Sequence, residues 1–226
     1  MVDNSRNENV QKRKRGLETI RKILDISADL FARNGYDGVS MRQIAENAGI
    51  KESSLYNHFK SKTDIMETLF DEFISLVPQT RPSDEETDRM LMLMDPEEVF
   101  KNIIFQVGRS VSGTLLNTLM IINYEKFRNP RAAEMYYKYV VKEPADYYER
   151  LINKMIERKM VKPVDARIIA EQYNYVSIAL TKEYVMSQYG LADVHSVVSY
   201  MIKTLIFFCG LMANNGGEQD EKEKEV

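Results

Sequence analysis

Few side chains in this chain of 226 residues are suited to covalent chemistry. There are two histidines and one cysteine, Cys209, so no internal disulfide forms and little is left for a zinc site. No carboxylate pair, nucleophile elbow or glycine-rich phosphate loop stands at a convincing spacing. Neither catalysis nor a cofactor or metal is therefore expected. What the sequence offers instead is cations and hydrogen-bonding groups near its start. One set is the run Lys12-Arg13-Lys14-Arg15. The other lies between Ser40 and Lys62, where Ser, Asn, Tyr, His, Arg and Lys side chains crowd together. Those groups suit phosphate oxygens and base edges.

The formal net charge of -3 looks wrong for such a partner, but it averages two unlike parts. Residues 1–62 hold 12 Lys+Arg against 8 Asp+Glu, a balance of +4. Residues 63–226 hold 19 against 26, a balance of -7. A basic head on an acidic body is what a protein needs if only the head meets phosphate. The single cysteine, and an N-terminus without an apolar signal region, predict a cytoplasmic protein. The longest nearly apolar stretch, 205–213, reads as too short to span a bilayer, so no membrane partner is expected.

The elements that must position the head's polar groups read as helices. Only 10 Gly and 6 Pro occur, and strand-like alternation is scarce. Ile20, Ile23, Leu24, Ser27, Ala28 and Phe31 share one face of a first helix, which Asn34-Gly35 ends. Ser40 and Gln43 form a capping-box pattern that opens a short second helix with apolar Ile44, Ala45 and Ala48. Gly49 supplies the turn, and a third short helix carries Leu55 and Phe59 inward. Ser61 and Asp64 start a fourth, with Ile65, Met66, Leu69, Phe70 and Phe73, ending at Pro78. Two short helices across a glycine turn, braced by a longer one, are the layout of a helix-turn-helix.

The segment from Val39 to Lys62 resembles the DNA-binding region of TetR-type transcriptional regulators. Arg42 through Gly49 carries one part of the likeness. Leu55-Tyr-Asn-His-Phe-Lys-Ser-Lys62 carries the more specific part, and Leu30 to Tyr36 fits the end of that family's first helix. The likeness runs from about residue 18 to 73. It implies an all-α fold: an N-terminal helix-turn-helix head and a larger C-terminal helical domain for ligand binding and dimerisation. It implies phosphate contacts from Ser40, Arg42, Tyr56, His58 and Lys62. It places Lys51, Glu52, Ser53, Ser54 and Asn57 against base edges or nearby backbone. Lys51 stands where a capping serine is common in that family, and Glu52 where a basic or amide residue is common.

The remaining sequence predicts a second helical unit. Residues 78–96 read mainly as a loop with a short helical turn at 90–94. Helices are expected at 96–111, 115–127, 131–159 (kinked or divided at Pro144), 163–189 and 193–212. The domains are then a basic flexible arm at 1–15, a head at 16–77, a body at 78–213 and a disordered acidic tail at 214–226. Phe105, Met120, Tyr124, Tyr137, Tyr148 and Tyr173 are candidates for a pocket that takes a small, mostly apolar effector. Tyr184, Val194, Val198, Met201, Leu205 and Phe208 are candidates for a homodimer interface, the last five lying on one stripe. A twofold dimer would present two recognition helices to a roughly palindromic double-stranded operator.

These readings converge on a sequence-specific DNA-binding regulator, a repressor released from its operator by a small-molecule effector. An architectural DNA binder without effector control remains the first alternative. An all-helical enzyme is the second, and it lacks residues to work with.

Overall fold

The computed structural model describes residues 4–187 and 190–214, and all regular structure among them is helical. The chain divides into two compact units. One holds the residues up to Thr80 together with Ser110–Tyr136, and the other holds Arg81–Arg109 together with the residues from Tyr137 onward. The expected boundary near residue 78 is thus only one of three crossings between units. The expected tail lies outside the described residues apart from Asn214.

In the first unit, α1 runs from Asn4 to Asn34 and Gly35, at φ +73°, ends it. The expected flexible arm is instead helical from Asn4, and Lys12–Arg15 lie within α1. The face containing Ile23, Leu24, Ser27, Ala28 and Phe31 is buried. Then come α2 (Met41–Ala48), α3 (Glu52–Tyr56) and α4 (Lys62–Leu76), the last passing into a 3-10 turn at Val77–Thr80 that contains Pro78. Two helices from later in the sequence, α7 (Gly113–Glu125) and α8 (Pro130–Met135), complete this unit. α7 buries Met120, Ile121 and Ile122 and packs on α1 and α4. Arg131 of α8 pairs with Glu67 and, at 2.5 Å, with Asp71 of α4. Apolar burial and this ion pair attach α7 and α8 to the first unit.

The second unit begins with α5 (Asp84–Leu93), where the sequence reading expected mainly a loop. Its start is a capping box between Ser83 and Glu86, and Thr87 and Leu91 are buried. α6 (Pro96–Ser110), α10 (Ala166–Ser187) and α11 (Val194–Met212) follow the expected pattern closely. At 19 residues and mean hydropathy 1.6, α11 is long and apolar enough to cross a membrane by length and composition, a property that the 205–213 stretch alone did not reveal. In this unit Leu205, Phe208 and Met212 of that helix join the interior. They meet Phe100, Tyr148 and Tyr173, whose rings pack edge-on or stacked at 4.8–5.9 Å. Burial pushes the Tyr148 hydroxyl and the Cys209 thiol up to about 12, so both stay protonated at neutral pH.

Pro144 has a larger effect than a kink. The expected helix at 131–159 becomes α8, a π-helix at Tyr136–Lys142, and α9 (Glu143–Glu157). In a continuous α-helix the N–H of residue 144 would serve the Val140 carbonyl, and proline has none. The buried Asn174 of α10 serves it instead: its Nδ2 donates to the carbonyls of Val140 at 3.2 Å and Val141 at 3.0 Å. The side-chain amide of one helix thereby completes the backbone of another.

Replacing Asn174 by Leu removes both hydrogen bonds at similar volume. The expected cost is about 1–3 kcal/mol. It is read as a lower urea midpoint at unchanged slope, and an unchanged midpoint would deny the amide this role.

Candidate nucleic-acid interface

The geometry of the head starts from its caps. Ser40 is extended, at φ -107° and ψ 157°, and its hydroxyl accepts from the Gln43 N–H at 3.3 Å. Gln43 Oε1 accepts in return from the Ser40 N–H at 2.8 Å. The predicted capping box is therefore formed. At the other end of α2, Gly49 sits at φ +65°, and its N–H reaches back to the carbonyls of Ala45 and Glu46. The left-handed conformation stops α2 and turns the chain into α3. The fully or nearly fully buried Ile44, Ala45 and Ala48 let α2 pack on both α1 and α3.

The third helix is the short element expected to face DNA. Lys51 precedes it in an extended conformation with no side-chain cap, as its departure from the family pattern suggested. Glu52 in the first turn favours the positive end of the helix dipole and partly replaces that cap. Leu55 and Phe59 are buried, while Lys51, Glu52, Ser53, Tyr56 and Asn57 are exposed and Ser54 and His58 are half-buried. The polar set and the apolar pair thus occupy opposite sides of one turn of structure.

The fourth helix is tied to the loop before α2. Ser61 caps Asp64 at 3.1 Å, and Asp64 accepts from the Lys60 N–H at 3.0 Å. The Lys62 ammonium donates to the Tyr36 carbonyl at 2.6 Å and lies 4.1 Å from the centre of its ring. The Tyr36 hydroxyl is 2.8 Å from Thr63 Oγ1. Lys62, read from sequence as a phosphate contact, is therefore first a clamp on Tyr36. Its ammonium has three protons, so donors remain for a second acceptor. Tyr36 was missed as a site residue, because nothing in a linear sequence pairs it with residue 62. Arg42 is exposed and bonded to Glu46 at 2.8 Å, which raises its pKa and keeps it charged. A phosphate would have to compete with Glu46 for that guanidinium.

The pocket candidates divide between the two units. Met120 and Tyr124 belong to the first unit; Phe105, Tyr137, Tyr148 and Tyr173 belong to the second. Tyr148 and Tyr173 are core aromatics, whereas Phe105, Tyr124 and Tyr137 are about half exposed or more. The dimer candidates differ in exposure. Leu205 and Phe208 are buried in the second unit's own core, and Tyr184, Val194, Val198 and Met201 are half-buried. The apolar groups that α11 leaves exposed are Tyr200, Ile206, Phe207 and Leu211; on α10 they are Ile168, Tyr175 and Met186. Core and outer stripe are both apolar on these helices, so periodicity could not say which was which.

Comparison with known proteins agrees with this geometry. Residues 23–69 match the model of the bacterial regulatory proteins, tetR family. Over 46 residues the chain is 48% identical to the biofilm operon icaADBC HTH-type negative transcriptional regulator IcaR of Staphylococcus aureus (strain Newman). That match covers 20% of this chain and spans only 25% of the length of IcaR. The fold is shared more widely. A structure assigned to the TetR family of transcriptional regulators, from Mesorhizobium loti MAFF303099, aligns with TM-score 0.63 at 16% identity, covering 88% of this chain and 99% of that one. The SmeT–triclosan complex aligns with TM-score 0.61 at 17% identity, covering 88% and 93%.

Two substitutions measure how firmly the turn is held. Ser40→Ala removes the cap and is expected to cost about 1 kcal/mol. Gly49→Ala finds space, since only Lys22 Nζ lies near, at 3.8 Å, but it must hold a left-handed φ at about 1–2 kcal/mol. Both are read in thermal unfolding of the full chain.

Proposed function

We propose that this chain, TetR-type in its matched head and in its fold, is a homodimeric, sequence-specific DNA-binding regulator of transcription. In this reading it is a repressor that acts in the cytoplasm and leaves its operator when a small, mostly apolar effector binds. The observation that carries the reading is the arrangement of the head. A glycine turn at φ +65° sets α3 against α2 so that Leu55 is buried while Lys51, Glu52, Ser53, Tyr56 and Asn57 stay exposed. Ser40 and Arg42 at the start of α2, and Lys62 at the start of α4, are the polar groups that flank this surface in sequence.

The proposed mechanism builds on this geometry. α3 enters the major groove, where Lys51, Ser53, Ser54 and Asn57 face base edges. Glu52 accepts from cytosine N4 and repels phosphate, which disfavours sites that would press backbone against it. Ser40, Arg42, Tyr56, His58 and Lys62 meet phosphates and fix the register of the head. The exposed apolar stripes of α10 and α11 support pairing of two copies through those helices. On α10, Ile168, Tyr175 and Met186 recur at seven and eleven residues; on α11, Tyr200, Phe207 and Leu211 recur at seven and four. Two heads then read two half-sites related by the same twofold axis.

Effector control is a population shift between a form whose heads match the operator and one whose heads do not. A coupling of about 1–3 kcal/mol gives a roughly 5–150-fold loss of affinity. The triclosan complex of the SmeT relative supports an apolar small molecule as the class of effector.

Footprinting on a duplex selected from a randomised library tests the reading. Protection of one short palindrome is expected, and uniform coverage would sink it. Arg42→Ala and Lys51→Ala are each expected to weaken binding. Where the lost cation met a phosphate, the salt slope should become shallower by about 0.9 per contact.

Phe207→Glu combined with Tyr175→Glu tests the interface. A monomer in sedimentation velocity is expected, with weakened binding to the palindrome; an intact dimer would place the interface elsewhere.

A further inference from the structure

We infer that Lys12, Arg13, Lys14 and Arg15 form a helical clamp on the sugar-phosphate backbone of duplex DNA beyond the half-site that α3 reads. This rests on the proposed function and adds to it a second, sequence-independent surface.

The first argument is that this part of α1 is left uncovered by the described residues. Residues 10–15 are all exposed, Leu17 is 61% exposed, and the buried face of the helix begins only at Ile23. A helix that buries no apolar face has little to hold it in water. The second argument is charge. From Val10 to Leu24 the sequence holds six cations and one acid, Glu18. Of the six, Arg21 is already tied to Glu72 at 2.6 Å. Four consecutive like charges on one helical turn repel one another, and a polyanion relieves that repulsion. Duplex DNA supplies one phosphate charge per about 1.7 Å of its axis, which matches such a density.

The third argument is position. Lys22 of α1 reaches the α2–α3 turn: its Nζ is 3.8 Å from where a Cβ on Gly49 would stand. Lys51, at the entry to the DNA-reading helix, is two residues further on. Arg15 is seven residues before Lys22, two helical turns along the same face, or about 10 Å. That offset is about three base-pair steps, and in the proposed clamp it carries the run to backbone next to the half-site rather than within it.

The test uses the full chain and a duplex it selects from a randomised library, in a form trimmed to the protected palindrome and a form with long flanks. The variant carries Lys12→Gln, Arg13→Gln, Lys14→Gln and Arg15→Gln; because these side chains are exposed, its circular dichroism in the folded state should match that of the parent. On the long duplex the slope of log K against log salt is expected to become shallower by at least about 2, one phosphate from each subunit. On the trimmed duplex the two proteins should bind alike. Equal slopes on the long duplex overturn the clamp. An equal loss on both duplexes overturns its placement on the flank. Failure of the parent chain to protect any palindrome refutes the regulator itself, and is thereby distinguished from failure of the clamp alone.

Discussion

The head depends on a helix that cannot sustain itself. α3 is five residues long and has no side-chain cap at its start. A helix of that length gains too few backbone hydrogen bonds to offset the order it requires. Its orientation is imposed from outside, by the burial of Leu55 and Phe59 and by the left-handed turn at Gly49. Small side chains at Ala45 and Ala48 allow the close approach. The consequence is functional: because α3 is held by its apolar side, its polar side is free to vary without unfolding the head. Lys51 and Glu52, which depart from the common family pattern, occupy that freedom.

The same logic of borrowed support recurs at α4. The Lys62 ammonium is shared between the Tyr36 carbonyl and ring, and Tyr36 reaches Thr63 in turn. These contacts join the start of α4 to the loop that delivers Ser40, so two proposed phosphate-contact points are set by one tyrosine. Further along α4, Arg131 engages Glu67 and Asp71, and α7 packs on both α1 and α4. The head therefore does not end where its sequence likeness ends at residue 69. α4 is thereby held at Glu67 and Asp71 by α8 and packed against α7, two helices far from it in sequence.

The local features of this architecture were legible in the sequence because they are decided by neighbours. Ser40 with Gln43, Gly49, and Ser61 with Asp64 are patterns within four residues, and each appears as expected. The Ser83–Glu86 box has the same form and starts α5; it was obscured by the acidic, proline-marked composition around it. What failed to show is decided by partners distant in sequence. Asn174 lies more than thirty residues from the carbonyls it serves, and no periodicity links them. Pro144 signalled a break in a helix but not that the break would become a π-helix. The pocket and dimer candidates could not be sorted from the core for a related reason. An aromatic residue such as Tyr173 satisfies the pattern for a core, a cavity or an interface equally well.

The two apolar faces of α11 show why that ambiguity is physical rather than a defect of reading. Leu205, Phe208 and Met212 are buried in their own unit, whereas Tyr200, Phe207 and Leu211 on the other side are exposed. Both faces are apolar because each needs a cover, one from the same chain and one, in the proposed dimer, from a second copy. Hydropathy records the need and not the source of the cover. For the same reason α11 meets the length and composition of a membrane span while Leu205, Phe208 and Met212 are already committed to a core. Charge is a less ambiguous record. The balance of +4 over residues 1–62 and -7 over residues 63–226 is a property of the sequence itself, and it needs no knowledge of packing to be read.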